Sequence, residues 1–108
     1  MSPINSVIFD GVVSTDIEVK SADEGVFTVV HHRYYKVGEQ NEVEETSIHV
    51  IVRGTQFTHA TSIKGIKGKG IRVVGRLCNY EDGVSLFSEH MEFKPGSYNS
   101  GKYTFKFD

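Results

Sequence analysis

Residues 46–78 read TSIHVIVRGTQFTHATSIKGIKGKGIRVVGRLC, and the spacing of their apolar residues changes twice. From Thr46 to Arg53 apolar and polar residues alternate, which predicts a strand. From Thr55 to Lys64 the apolar residues lie three apart, as in a helix. From Ile71 to Cys78 the alternation returns. The stretch therefore predicts a strand, one short helix and another strand.

The predicted helix has a boundary signal at each end. Thr55 is typical of an N-cap, and Gly65 is typical of a residue that stops a helix. Phe57 and Ala60 lie on one face of this helix. We therefore expect Phe57 in the core rather than at a binding surface.

The flanking segments complete the order of elements. They are, in chain order, a strand at Ser6–Val13 with an interrupted continuation to Val19, a polar turn at Ser21–Gly25, a strand at Val26–Lys36, an acidic loop at Val37–Glu45, a turn at Asn79–Gly83 and a strand at Val84–Phe93. In the second strand, Phe27 and Val29 are expected to point inward. Three strands, one helix and two strands is the order of a five-stranded OB barrel. An immunoglobulin-like sandwich fits less well, because it needs about seven strands and no inserted helix.

Composition agrees with an all-β domain with one short helix. The chain has 108 residues, 38% of them hydrophobic, which suits one compact domain. We expect this domain to span residues 1–94 and to be followed by a C-terminal extension at 95–108. In the extension Tyr103, Phe105 and Phe107 alternate with polar residues, which predicts either an additional strand or a docking segment.

The sequence shows neither a membrane span nor a signal peptide, so a cytoplasmic, nucleoid-associated protein is expected. Cys78 is the single cysteine and cannot form a disulfide within the chain. Its strand context favours a buried thiol that acts as a small hydrophobe.

The net charge of −2 does not by itself favour nucleic acid, but the charges are unevenly distributed. No Asp or Glu lies between Gly54 and Tyr80, whereas five basic residues do: Lys64, Lys67, Lys69, Arg72 and Arg76. This pattern predicts one positive side of the molecule, although the lysines also fit a solubilising turn.

Five segments, in order and spacing, resemble the bacterial single-stranded DNA-binding proteins. They are Ser6–Gly11, Phe27–Lys36, Ile48–Gly54, Lys67–Leu77 and Ser88–Phe93. The resemblance covers roughly residues 5–94 and implies an OB fold, homo-oligomers and binding of single-stranded DNA. The chain departs from the family in lacking Trp, in the short turn after the fourth strand and in lacking the acidic tail that recruits partners.

Single strands are held by bases stacked on aromatic rings and by phosphates paired with Lys and Arg. The residues that offer these groups at strand ends or on faces opposite the expected core are Arg33, Tyr34, Tyr35, Lys36, Arg53, Arg72, Arg76 and Tyr80. The resemblance places a stacking aromatic near Tyr35. The alternatives are an ordinary strand end for the two tyrosines and a solvated sheet face for the arginines.

No motif points to catalysis, a cofactor or a metal. His31 and His32 are adjacent on a strand, so they point to opposite faces and do not chelate together. The glycine-rich stretch Gly65–Gly70 lacks the phosphate-loop sequence and precedes a strand. We therefore expect a protein that is not an enzyme.

Three functions remain open. The first is nonspecific binding and protection of single-stranded DNA in replication, repair or recombination by a homo-oligomer, a dimer or a tetramer. The second is a primosomal replication protein, whose dimeric family resembles the chain in its short length and in Val50–Gly54 and Thr58–Thr61, and which also contacts replication proteins. The third is an OB-fold module that recognises protein instead of nucleic acid, through strand addition by the C-terminal extension.

Overall fold

The computed structural model describes residues 3–94, which form six strands and one helix. The elements are, in chain order, β1 (Val7–Val13), β2 (Glu18–Ser21), β3 (Glu24–Val37), β4 (Gln40–Arg53), α1 (Thr55–Ser62), β5 (Gly70–Tyr80) and β6 (Gly83–Phe93). The five predicted strands and the helix are therefore confirmed. The predicted extra strand at 95–108 lies outside the described residues.

Five of the strands close into a barrel. Their order is β1-β5-β6-β4-β3, and β1 closes the circle by pairing with β3 at Val12 and Val13. All neighbours are antiparallel except β4 and β6, which run parallel at Val50 and Ile51. The fold is the predicted OB barrel. The sixth strand, β2, continues the sheet beyond β3, where the sequence predicted only an interrupted extension of the first strand.

The core lies inside the barrel and is mostly aliphatic. Alternation brings Phe27 and Val29 of β3 inward, as predicted, and both side chains are buried. The remaining members of the core cluster are Val13, Val50, Val52, Ala60, Ile66, Ile71, Val73, Leu86 and Met91. These side chains pack together as the core of the barrel.

Helix α1 packs against one end of the barrel through Ala60, which is buried, and Phe57, which packs on the core. The predicted role of Phe57 is confirmed. Both predicted helix boundaries are wrong. The N-cap is Gly54, with φ +58°, and not Thr55. The helix ends at Ser62, because Ile63 already has extended dihedral angles, so Gly65 is not its stop.

Strands β3 and β4 extend past the barrel as a two-stranded arm. The prediction of a loop at Val37–Glu45 is wrong, because β4 begins at Gln40 and pairs with β3 from Val37 onward. A two-residue turn at Gly38 and Glu39 joins the strands, and Gly38 has φ +63°. A positive φ at the first turn residue is typical of the type II′ hairpin turn. The part of the arm beyond the barrel comprises residues 31–47.

The side chain of Cys78 is half-buried on the outer face of β5, so the prediction of a buried thiol is wrong.

Among residues 3–94, no helix has the length and apolar character needed to cross a membrane.

Candidate nucleic-acid interface

A continuous row of side chains crosses four strands on the outside of the barrel. The pairing sets Arg76 opposite Phe87, Phe87 opposite Ile51, and Ile51 opposite Val26. Side chains of paired residues lie on the same face of a sheet. Ile51 and Val26 are both buried. They alternate with core-cluster residues of the same strands, so they lie on the outer face of the sheet. The outer face therefore has an apolar floor, and Phe87 lies next to it.

Phe87 lies between two arginines. The guanidinium carbon of Arg76 is 4.4 Å from the centroid of the Phe87 ring, and that of Arg53 is 5.5 Å away. Both distances are within the range of a cation–π interaction. The half-buried Phe87 ring and the guanidinium groups of Arg53 and Arg76 form one cluster, the Phe87 cluster. It combines the two kinds of group that bind single-stranded nucleic acid, an aromatic surface for stacking and positive charge.

Sequence reasoning missed Phe87. Leu86 and Phe87 are adjacent in a strand, so one of them has to point outward. The alternation predicts that one of these two side chains points outward, but which one does so depends on how β6 pairs with β5. The register of β5 and β6 shifts at Val74 and Gly75, which changes the parity of their cross-strand pairs.

Glu24 at the start of β3 holds two of the predicted binding residues in place. Its carboxylate accepts a hydrogen bond from Arg53 Nε at 3.1 Å and another from the Tyr80 hydroxyl at 2.8 Å. The Glu24 side chain is largely buried. The hydrogen bond to Glu24 raises the pKa of the Tyr80 phenol, because the nearby carboxylate favours the protonated form. Arg53 and Tyr80 are thus positioned beside the Phe87 cluster before any ligand arrives.

Arg72 lies on the same face of β5 as Arg76, four residues away. Its Nε and one terminal nitrogen donate to the two oxygens of Asp10 at 2.9 and 3.0 Å. Lys94 Nζ also donates to Asp10, at 3.1 Å. The hydrogen bond from Arg72 is the main cause of the lowered pKa of the Asp10 carboxyl, and Lys94 adds to it against the opposing effect of burial.

The arginines of the acid-free stretch therefore have carboxylate partners from other strands. Arg72 pairs with Asp10, and Arg76 lies 3.7 Å from Glu89. Arg53, just before that stretch, pairs with Glu24. Strand pairing thus brings acidic residues that are distant in sequence next to these three arginines, which compensates part of the predicted positive charge.

The other predicted residues lie together on the arm. Tyr34 and Tyr35 point to opposite faces, and each is 37% exposed. The guanidinium carbon of Arg33 is 5.1 Å from the Tyr35 ring centroid, and Tyr34 stacks against His32 with centroids 6.4 Å apart. The predicted residues thus form two groups: Arg33, Tyr34, Tyr35 and Lys36 on the arm, and Arg53, Arg72, Arg76 and Tyr80 on the barrel.

Two of the five histidines make hydrogen-bond contacts with oxygen atoms of other strands. His31 Nδ1 is 2.8 Å from the Asp10 carbonyl oxygen, and His32 Nε2 is 2.8 Å from the Glu45 carboxylate. Within the described part of the chain, no cluster of three or more His, Cys, Asp or Glu residues is arranged to hold a metal ion.

Similarity to known proteins is found in structure and not in sequence. No protein-family model and no curated protein sequence matches the chain. Among solved structures, the chain is similar to the SSB of Plasmodium falciparum in complex with ssDNA, with a TM-score of 0.68 and 13% identity over 87% of this chain and 97% of that one.

Two further solved structures share the fold. PriB from Ralstonia solanacearum has a TM-score of 0.60 and 14% identity over 84% of this chain and 98% of that one. The single-stranded DNA binding protein from Thermus aquaticus, as a deletion mutant, has a TM-score of 0.69 and 17% identity over 86% of this chain and 51% of that one. The chain is thus an OB-fold protein. The resemblance inferred from the sequence is confirmed at the level of the fold, since the proteins that share it are single-stranded DNA-binding proteins and PriB.

Proposed function

We propose that this protein binds single-stranded DNA without sequence preference and catalyses no reaction. The observation that carries the proposal is the Phe87 ring between Arg53 and Arg76 on the outer face of the barrel. Bases stack on aromatic rings and on guanidinium planes, and the same guanidinium groups pair with phosphate. Neither contact reads a base edge, so binding tolerates any sequence.

The arm supplies a second set of the same groups. Tyr35 with Arg33 repeats the pairing of an aromatic ring and a guanidinium, and both side chains are exposed. Along β3, which pairs with β4 without a register shift, Tyr34 shares the outer sheet face of Val26, whereas Arg33 and Tyr35 lie on the core-side face. A DNA strand that leaves the Phe87 cluster along β4, which carries Arg53, therefore reaches the arm at Tyr34 first. The fold shared with an SSB in complex with ssDNA supports binding of a single strand. The role that follows is protection of exposed single strands in the cytoplasm during replication, repair or recombination.

The first test of this function is a fluorescence-anisotropy titration of labelled oligo-dT and of a matched duplex, each at several salt concentrations. Contacts to phosphate release counterions, so affinity for the single strand is expected to fall steeply as salt rises. The duplex is expected to bind far more weakly, since its stacked bases cannot lie on Phe87. Equal affinity for both DNAs, or no affinity for either, contradicts the proposal.

We also propose a homo-oligomer, a dimer or a tetramer, assembled along β1. One edge of β1 pairs with β5 from Val7 to Val12. Within residues 3–94 its other edge pairs with β3 at Val12 and Val13, and His31 contacts the Asp10 carbonyl oxygen, which leaves Val7–Phe9 open for another strand. Ile8 on this strand is 69% exposed. An exposed strand edge with apolar side chains is a template for pairing with a second copy. Light scattering behind a sizing column tests this, and a monomeric mass contradicts it.

A primosomal role is the second candidate, favoured by the fold shared with PriB. Such a protein contacts replication proteins as well as DNA. One experiment distinguishes the two candidate functions. A purified replisome component is added to the preformed complex of the protein with labelled oligo-dT, and a further rise in fluorescence anisotropy supports the primosomal role.

A further inference from the structure

The contact of Asp10 with Arg72 and Lys94 has the geometry of a phosphate contact. Two oxygens of Asp10 each accept one nitrogen of the Arg72 fork, and one of them also accepts Lys94 Nζ. Arginine binds carboxylate and phosphate in the same bidentate way. The carboxylate therefore occupies the place that two oxygens of a phosphodiester would take.

This contact lies on the surface that the proposed function uses. Arg72 and Arg76 share the outer face of β5, and at about 3.3 Å per residue their Cα atoms are roughly 13 Å apart. Arg72 is half exposed and Asp10 one-third exposed, so a ligand can approach both. The pKa of Asp10 is lowered, which keeps the carboxylate charged at neutral pH.

We propose that Arg72 and Lys94 form one phosphate site of the single-strand surface, which Asp10 fills in the free protein and which a DNA phosphate takes over by displacing Asp10. The inference rests on the proposed function and adds Lys94 to the site. Asp10 acts as an internal competitor that lowers affinity. When the DNA phosphate displaces Asp10, the phosphate releases a bound cation and the freed Asp10 carboxylate takes one up. The contact of the phosphate with Arg72 therefore adds little net counterion release to the salt dependence of binding.

The test compares Asp10→Asn with the wild-type protein in oligo-dT titrations. Asparagine keeps the shape of the side chain but competes poorly for two cations. We expect affinity to rise about three- to fivefold, the scale of one exposed ion pair. We also expect the slope of log K against log salt to steepen by about 0.7, the contribution of one phosphate on a single strand. In the double variant Asp10→Asn with Arg72→Ala, the gain is expected to disappear.

A matched control separates local competition from net charge. Asp16→Asn removes the same charge from the segment between β1 and β2, beside α1. It is expected to leave affinity unchanged, and an equal gain in both variants overturns the proposal. Glu89→Gln, which frees Arg76 in the same way, is the second variant should Asp10→Asn unfold.

The remaining outcomes are distinct. Weaker or unchanged binding by Asp10→Asn, while the wild-type protein binds oligo-dT, overturns the inference alone and makes Asp10 a residue that orients Arg72. Absence of binding by both proteins overturns the proposed function together with the inference.

Discussion

The guanidinium carbon of Arg76 lies 4.4 Å from the centroid of the Phe87 ring, and the two residues are directly opposite each other in adjacent strands. The contact is therefore set by the pairing of β5 and β6 and not by chance proximity of two surface side chains. Arg53 reaches the same ring from β4. Three strands thus contribute one group each to the cluster, which makes its geometry a property of the barrel.

Replacing Phe87 by Leu is expected to weaken oligo-dT binding, because an aliphatic side chain gives no flat surface for a base. Loss of one stacked base costs about 1–3 kcal/mol, or roughly 5- to 150-fold in affinity. Phe87→Trp retains a ring and is expected to bind well. The control is Val84→Ala on the same strand, whose side chain is exposed. Anisotropy titrations check this, and wild-type affinity in Phe87→Leu contradicts the stacking role.

Tyr35→Ala tests whether the arm takes part. Its ring is exposed and has Arg33 beside it, so its removal is expected to cost one stacked base, again about 1–3 kcal/mol of binding free energy. Val37 lies two residues further along β3 on the same face, so Val37→Ala is the matched control. If Tyr35→Ala binds oligo-dT as the wild-type protein does, the face of the arm that carries Arg33 and Tyr35 takes no part in binding.

Tyr80→Phe removes the hydrogen bond to Glu24 and leaves the ring in place. The bond joins the Tyr80 hydroxyl to the charged Glu24 carboxylate, so its removal is expected to lower the free energy of unfolding. Urea unfolding measures the change. The comparison is Tyr34→Phe on the exposed arm, for which we expect no loss. Equal stability of both variants would show that the bond between Tyr80 and Glu24 contributes nothing.

Gly75 is required by the close approach of β5 and β6. A Cβ atom at this position would overlap the carbonyl group of Phe87, which is backbone and cannot move aside. Gly75→Ala is therefore expected to lower the free energy of unfolding by about 1–3 kcal/mol and to displace Phe87. At Gly83, on the same hairpin, nothing lies within 4 Å of an added Cβ, so Gly83→Ala is the control. Thermal unfolding of the two variants should differ clearly, and identical midpoints contradict the packing argument.

Asp10 is expected to contribute to acid unfolding. Its folded-state pKa lies below the ordinary value of 3.8, mainly because of the hydrogen bond from Arg72. A carboxyl with a lowered pKa adds stability that is fully present above its unfolded pKa and is lost as the pH falls through its folded pKa. Wild-type stability should therefore fall below about pH 3.8 more steeply than that of Asp10→Asn, which lacks the titrating group. Parallel curves from urea unfolding between pH 5 and pH 2 are the contrary result.

The barrel could be predicted from the sequence because its core positions follow simple periods. Val50 and Val52 alternate with outward residues, and Phe57 and Ala60 repeat at helical spacing. The arm could not be predicted in the same way. Within residues 3–94, both faces of its outer part contact solvent, so Gln40–Ser47 has no apolar alternation and resembles a loop. Its strand structure comes from pairing with β3, which is a property of the folded chain.

The candidate site was predicted in part. Arg53 and Arg76 were predicted from their place on faces opposite the core, and Tyr80 from its place at the mouth of a turn; the structure brings the three to one surface. Phe87 and Glu24 were not recognised, because their roles depend on which residues strand pairing brings together. Composition likewise showed the arginines but not the carboxylates beside them, since Asp10 is 62 residues from Arg72 in sequence.

A DNA single strand is proposed to lie across the Phe87 cluster. Photo-crosslinking with oligo-dT that carries 5-bromodeoxyuridine, followed by mass spectrometry of the peptides, tests it most directly. The predicted result is a crosslink in the peptide that contains Phe87, with a second one at Tyr35, both lost when unlabelled oligo-dT competes. Crosslinks confined to α1 and β2, or none at all with the single strand bound, would contradict it.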